Sequence, residues 1–112
     1  MDNSTPDGPD ELVIRYLRPF RERNPRCSLT TIMCFASIAH DQNLTVTEMT
    51  KALKASMTAV CTSLAELEDW HGKGDGLITL VTDADDRRKT RALLTDRGRK
   101  FRARILEHKE NL

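Results

Sequence analysis

The sequence predicts a mainly α-helical fold that carries one small β-hairpin. Two observations lead there. Apolar residues recur at helical spacing in four successive stretches between Asp10 and Trp70. The pattern then changes: Leu77-Ile78-Thr79-Leu80-Val81 is rich in strand-forming residues, and Thr82-Asp83-Ala84-Asp85-Asp86 supplies turn chemistry. With 112 residues, the chain suits one domain with a modest core and is too short for two independent units.

The elements follow in order. Residues 1–9, with Pro6, Gly8 and Pro9 among polar neighbours, are expected to form a flexible tail before a domain spanning residues 10–112. Leu12, Val13, Tyr16, Leu17 and Phe20 give helix one, with Asp10 and Glu11 favourably placed in its first turn. Pro19 lacks the N–H of an interior helical residue and is expected to end or kink it. Ser28 can cap helix two, whose apolar stripe reads Leu29, Ile32, Met33, Ala36 and Ala39. Thr45-Val46-Thr47-Glu48 is a capping box opening a short third helix that buries Met49, Ala52 and Leu53. Ser56 caps helix four, with Val60, Leu64 and Leu67 on one face and Thr58, Thr62, Ala65 and Asp69 on the other.

After the glycine-rich connection His71 to Gly76, Leu77–Val81 and Lys89–Leu94 read as the two strands of a hairpin. Thr95 can cap a last helix from Asp96 to about His108, with Gly98, Phe101 and Ile105 on one side. Two short helices joined by a brief turn, followed by a hairpin, make a winged helix-turn-helix, expected over residues 29–94. A plain amphipathic helix pair explains the helical segment alone equally well; the hairpin after it tips the reading.

The charge pattern gives that arrangement a use. The net formal charge is only +1, yet residues 87–104 hold Arg87, Arg88, Lys89, Arg91, Arg97, Arg99, Lys100, Arg102 and Arg104 against the single acid Asp96. A basic segment of this density on a helix-rich domain is a candidate for binding a polyanion, although a charge run is more often a solvated face.

Other chemistries find less support. No stretch approaches the roughly 20 apolar residues that span a bilayer, and the N-terminus has no signal-peptide pattern, so a cytoplasmic location is expected, with no membrane partner. Cys27, Cys34 and Cys61 show no paired spacing and read as free thiols; Cys34 and Cys61 sit in helical patterns as small hydrophobes. The glycines 72, 74 and 76 follow a helix and precede a strand, the reverse of a phosphate-binding loop. Asp83, Asp85 and Asp86 lack the glycine and distal glutamate of a calcium loop. His40, His71 and His108 are scattered, and no catalytic constellation emerges. No metal, cofactor or enzyme activity is expected. Trp70 reads as a packing residue closing helix four.

The run Gly76-Leu77-Ile78, then Asp83-Ala84-Asp85-Asp86-Arg87-Arg88, a strand, and Leu94-Thr95-Asp96-Arg97-Gly98 resembles the wing and following helix start of the MarR family of bacterial regulators. Leu44-Thr45-Val46-Thr47-Glu48-Met49 resembles that family's helix opening, and Ser56 to Glu68 its recognition helix. The resemblance covers residues 29–106. It implies a homodimeric regulator of double-stranded DNA, here expected to be a repressor of a prokaryotic cell, virus or plasmid, with an unidentified small-molecule effector. It implies a wing arginine in the minor groove, Arg87 or Arg88, a tip braced by Asp83, Asp85 and Asp86, and phosphate contacts from Lys89 and Arg91. A planar, permanently charged guanidinium suits the negative potential of a narrow minor groove.

Three departures stand out. No Lys or Arg occurs between Lys54 and Lys73, so base contacts fall to Ser56, Met57, Thr58, Thr62 and Ser63. The join from Glu68 to Asp75 is longer than the family's, which either disturbs groove spacing or adds Lys73 as a phosphate contact. The terminal helices are short, over residues 10–24 and 95–110, yet Leu12, Tyr16, Phe20, Phe101, Ile105 and Leu106 offer them apolar surface for a dimer seam. The rival reading is a winged-helix protein-interaction or accessory module without sequence-specific DNA binding. A third, a thiol redox sensor, predicts oxidation-dependent DNA affinity.

Overall fold

The computed structural model describes residues 8–70 and 76–107. Helices α1 (Pro9–Arg23), α2 (Leu29–His40), α3 (Val46–Leu53) and α4 (Met57–Glu68) are followed by strands β1 (Ile78–Thr82) and β2 (Thr90–Leu94) and helix α5 (Asp96–Glu107). The element order matches the expected one. Most of the expected tail, residues 1–7, lies outside the described residues.

The core collects residues from every element. All five aromatic side chains of the sequence form one connected cluster, with Phe20 at its hub against Tyr16, Phe35, Trp70 and Phe101. This cluster narrows the expectation for Pro19, which does not end the helix. Helix α1 does not stop there but runs on to Arg23, where the Asn24 N–H closes it on the Phe20 carbonyl. An interior proline costs about 3 kcal/mol. The next residue, Phe20, is completely buried and sits edge-on to Phe35, Trp70 and Phe101. A buried aromatic contributes about 1.5–3 kcal/mol, and each ring pair about 0.5–1.5 kcal/mol more, enough to offset the proline.

Helix α2 is rotated from the stripe its sequence suggested, of which Ile32 and Ala39 still pack against the core. Thr31, Cys34, Phe35 and Ile38 are buried, whereas Leu29 and Met33 are exposed. Both faces are apolar, so spacing alone does not choose between them; the Phe35 ring, which belongs to the aromatic cluster, does. The buried face packs along α4, where the Thr31 hydroxyl donates to Ser63 Oγ at 3.1 Å. In α3, Met49 is buried, but Leu53 is half-buried and Ala52 exposed.

Capping chemistry sets the helix starts. Ser28 Oγ accepts from the Thr31 N–H, and Ser56 Oγ from the Ala59 N–H. At Thr45 the box is reciprocal: its hydroxyl accepts from the Glu48 N–H, and the Glu48 carboxylate from the Thr45 N–H. These bonds hold the Glu48 carboxyl below its usual range. Between α3 and α4, Lys54 takes the left-handed conformation, φ 54°, that makes the turn tight.

Strands β1 and β2 pair antiparallel, Ile78 opposite Leu94 and Thr82 opposite Thr90, and a further bridge joins Thr45 to Arg91. The base of the hairpin explains its glycine spacing. Leu77 N–H donates to the Leu67 carbonyl, Thr95 N–H to the Leu77 carbonyl, and the Thr95 hydroxyl to the Gly76 carbonyl while capping the Gly98 N–H. A Cβ on Gly76 would meet the Glu68 carbonyl oxygen at 1.9 Å, and one on Gly98 the Leu77 carbonyl oxygen at 2.0 Å. Only glycine admits backbones this close. The sequence pattern Gly-Leu…Leu-Thr-x-x-Gly is therefore a latch joining the hairpin to α4 and α5.

Candidate nucleic-acid interface

Helix α4 buries Val60, Ser63, Leu64 and Leu67. Its outward face presents Thr58, Cys61, Thr62 and Ala65, all exposed at i, i+3, i+4 and i+7, with the exposed Met57 at its start. Ser63 is a correction. It lies on the core face, 4% exposed and bonded to Thr31, and is not placed to reach a ligand in front of the helix. Ser56 is exposed, with its hydroxyl occupied by the cap. Cys61, read from the sequence as a small hydrophobe in a helical pattern, is exposed. Three residues after Thr58 and one before Thr62, it shares their face, as 100° per residue requires.

The hairpin tip is built from its acids. Asp83 Oδ1 accepts from the Asp85 N–H, Asp86 Oδ1 from the Arg88 N–H, and the Asp83 N–H returns to the Lys89 carbonyl. Asp83 and Asp86 brace the loop with side chains, while Asp85 contributes its backbone. Arg88 Nε also donates to Asp86 Oδ1 at 3.1 Å. These two Arg88 bonds, first the side chain and then the backbone, hold the Asp86 carboxyl below its ordinary range. Arg88 is thus tethered. Arg87 is exposed at the tip, and no partner for it is found among the described residues.

Arg91 is half-buried, and its Nε donates to the Asn43 carbonyl at 3.0 Å, fastening β2 to the turn between α2 and α3. Gln42, which sequence reasoning passed over, does similar work: its Oε1 accepts from the Leu94 N–H at 2.9 Å. A lone polar residue in a turn carries no sequence signal for a bond to a strand 52 positions away. Lys89 is exposed, and with Arg88 and Arg91 it borders a surface shared with Thr45, Thr47 and Glu48 at the start of α3. Arg88 and Thr90 also line a cleft of about 290 Å³ against Met57, Cys61 and Ala65 of α4. Arg88 therefore faces α4, while Lys89 and Arg91 face the start of α3. Lys73 lies outside the described residues.

The remaining cations sit elsewhere. Arg97, Lys100 and Arg104 of α5, with Arg23 of α1, rim a cavity of about 190 Å³ floored by Trp70, Leu77 and Phe101. Arg99 donates to the Leu94 carbonyl and pairs with Asp96.

The six residues read as dimer surface divide. Phe20, Phe101 and Ile105 lie in the core of the single chain and offer no free surface; Tyr16 is half-buried in the aromatic cluster. Leu12 and Leu106 are exposed, as are Val13 and Ile14, which the sequence reading left out. The chain's few large apolar side chains were needed to close its own core. Cys34 is buried and Cys27 half-buried, and burial pushes both thiols up to about 11, with Glu66 reinforcing the effect at Cys27. Both are protonated at neutral pH, which disfavours oxidation. Among the described residues no group of side chains is arranged to hold a metal ion, and no helix is long and apolar enough to cross a membrane.

No protein-family model matches the sequence, and no curated protein matches it. Solved structures do. A transcriptional regulator of Thermotoga maritima superposes with a TM-score of 0.71 at 19% identity, over 89% of this chain and 66% of that one. A MarR transcriptional regulator of Methanosarcina mazei gives 0.67 at 15%, over 88% and 66%. FabT of Streptococcus pneumoniae, solved in complex with DNA, gives 0.66 at 27%, over 91% and 68%. The chain spans about two thirds of the length of these proteins. The protein has the winged helix-turn-helix fold of the MarR-type transcriptional regulators.

Proposed function

We propose that this protein is a transcriptional regulator that binds double-stranded DNA as a homodimer, with α4 in the major groove and the hairpin as a wing over the minor groove. The observation that carries the reading is Arg87, exposed at the tip of a loop fixed by Asp83 and Asp86, on a hairpin whose Arg88 and Thr90 line a cleft with α4, a helix with an exposed outer face and a capped start. A guanidinium held on a rigid loop needs little ordering to enter a groove, and narrow minor grooves attract it. The DNA-bound FabT structure shares this fold. Lys89 and the cationic edge beside α3 serve as phosphate contacts; Arg91 acts mainly as the fastener of the wing.

Dimerisation draws on the exposed Leu12, Val13 and Ile14 of α1 and Leu106 of α5. A two-fold pair of such domains reads a pseudo-palindromic site, and occupancy over a promoter gives repression. The uncharged face of α4 favours one rival, a protein-interaction module that keeps the fold without reading DNA.

Selection of bound duplexes from random DNA, followed by titration across salt, separates the two. A regulator enriches a two-fold motif, and its log affinity falls with log salt by about 0.9 for each phosphate neutralised. Absence of enrichment and of salt dependence sinks the DNA reading in favour of the rival. Sedimentation of the full chain tests the seam: Leu12→Arg should shift the protein from dimer to monomer with its thermal midpoint little changed.

A further inference from the structure

We propose that α4 selects its site through the C5-methyl groups of thymine, so that the bases beneath it are T-rich; the inference rests on the DNA-binding reading above. The base edges of the major groove ask for different partners. Guanine presents two acceptors suited to Arg or Lys, adenine an acceptor and donor suited to Asn or Gln, and cytosine a donor suited to a carboxylate. Helix α4 contains none of Arg, Lys, Asn or Gln; of its two acids, Glu66 is half-buried off the outer face, and Glu68, half-buried in the last turn, lines the cleft toward the wing, far from the N-terminal end that leads into a groove. Two of its hydroxyls are also spoken for, Ser56 in the cap and Ser63 in the core.

What remains outward is Met57, Thr58, Cys61, Thr62 and Ala65: methyl groups, sulfur and two hydroxyls. Apolar surface continues from this face into the cleft beside the wing, where Leu80 joins Met57, Cys61 and Ala65. A hydroxyl can donate or accept and so discriminates weakly between bases, whereas the apolar part of this surface matches one base feature, the thymine methyl. The side chains are short, so the helix sits close to the base edges, and the two threonine hydroxyls fix its register against whatever acceptor or donor lies alongside.

An A·T preference could also come from Arg87 in a narrow minor groove. The experiment separates the two grooves. In the tightest duplex recovered by selection, thymines are replaced by uracils, which removes only the major-groove methyl and leaves pairing intact. Affinity is expected to fall about fourfold for each methyl contacted, the factor for burying one such group. In the wild-type protein, A·T pairs exchanged for inosine·cytosine, which preserve the minor-groove edge and change the major-groove edge, should be tolerated under the wing and not under α4.

Thr62→Ser, which keeps the hydroxyl and loses the methyl, should weaken binding to the thymine duplex more than to the uracil duplex, with an unchanged thermal midpoint. Equal affinity for thymine and uracil duplexes, with the two-fold motif and salt dependence intact, overturns this inference and leaves the DNA-binding reading standing. No retained duplex at all overturns both.

Discussion

The wing and helix α5 carry cations at similar density and use them differently. In the wing, Arg88 is tied to Asp86 and Arg91 to the Asn43 carbonyl, and these bonds shape a loop that displays Arg87. In α5, Arg99 is held by Leu94 and Asp96, while Arg97, Lys100 and Arg104 ring a cavity with Arg23 of α1. Arg88, Lys89 and Arg91 of the wing border α3 and α4; the α5 group faces α1 and the aromatic cluster. A run of basic residues is thus one feature in the sequence and two in space. Charge density identifies a polyanion binder only when an element positions it beside the groups that read the ligand.

The largest effect is expected where the two regions join. Gly98→Ala places a methyl 2.0 Å from the Leu77 carbonyl oxygen, where the obstacle is backbone on both sides. Relief requires the wing base and α5 to separate, breaking the bonds of Thr95 to Gly76 and Leu77. A loss of about 3 kcal/mol or more is expected, read by thermal or urea unfolding. A variant as stable as the parent would mean that the latch is slack and that wing and α5 are not one mechanical unit.

Next in size is the contrast between the two charge groups. Arg87→Ala should cost about 1–3 kcal/mol of duplex affinity, as for a groove contact, with stability unchanged. Lys100→Ala together with Arg104→Ala removes twice the charge and should change affinity by less than twofold at the same ionic strength. Equal losses would reduce the wing to part of a diffuse positive field and erase the distinction.

Much of this architecture was legible before the fold was known, and the failures are instructive. Ser28, Thr45 and Ser56 each cap the helix assigned to them, because capping is local chemistry between residues three apart. The hairpin was readable from strand-forming runs on either side of turn residues, whereas Gly76 and Gly98 were marked only by the family resemblance, since the backbones they admit are distant in sequence. Pro19 and α2 misled because their outcome depends on distant rings: Phe20 holds α1 through its proline, and Phe35 selects the face of α2. Ser63 and Cys61 exchange roles relative to a reading by residue type, since helical phase, not polarity, decides which of them faces outward. The dimer surface was overestimated because apolar residues at helix spacing look alike whether a core or a partner covers them.

A smaller effect probes accessibility across these regions. Cys61 is exposed on the face of α4 that looks toward the wing, whereas Cys34 is buried on the inner face of α2 with its thiol pushed up to about 11. A thiol-reactive probe at neutral pH should label Cys61 first and Cys34 only on unfolding, as read by mass spectrometry of digested protein. Bound duplex should slow the labelling of Cys61 and leave Cys34 unaffected. Labelling of Cys61 at the same rate with and without DNA would remove α4 from the interface.

The finest test concerns Asp86 alone, since it decides whether the wing is shaped or merely charged. Its carboxyl is held below the ordinary range by Arg88, through the side chain first and the backbone second. A group whose pKa is lowered by its folded partners keeps them above its ordinary pKa and loses them as pH falls through the lowered value. The brace is therefore intact at neutral pH and persists into moderately acidic solution. Asp86→Asn retains an oxygen for the Arg88 N–H but not the ion pair, and the pair lies in a surface loop with Arg88 exposed, so global stability should hardly move. Duplex affinity should fall by a few-fold, less than for Arg87→Ala, because Arg87 remains while the loop presenting it loosens. If Asp86→Asn instead raised affinity by removing a negative charge near the phosphates, the carboxylate would be acting through its field and not through its bonds, and the wing would lose its claim to preorganisation.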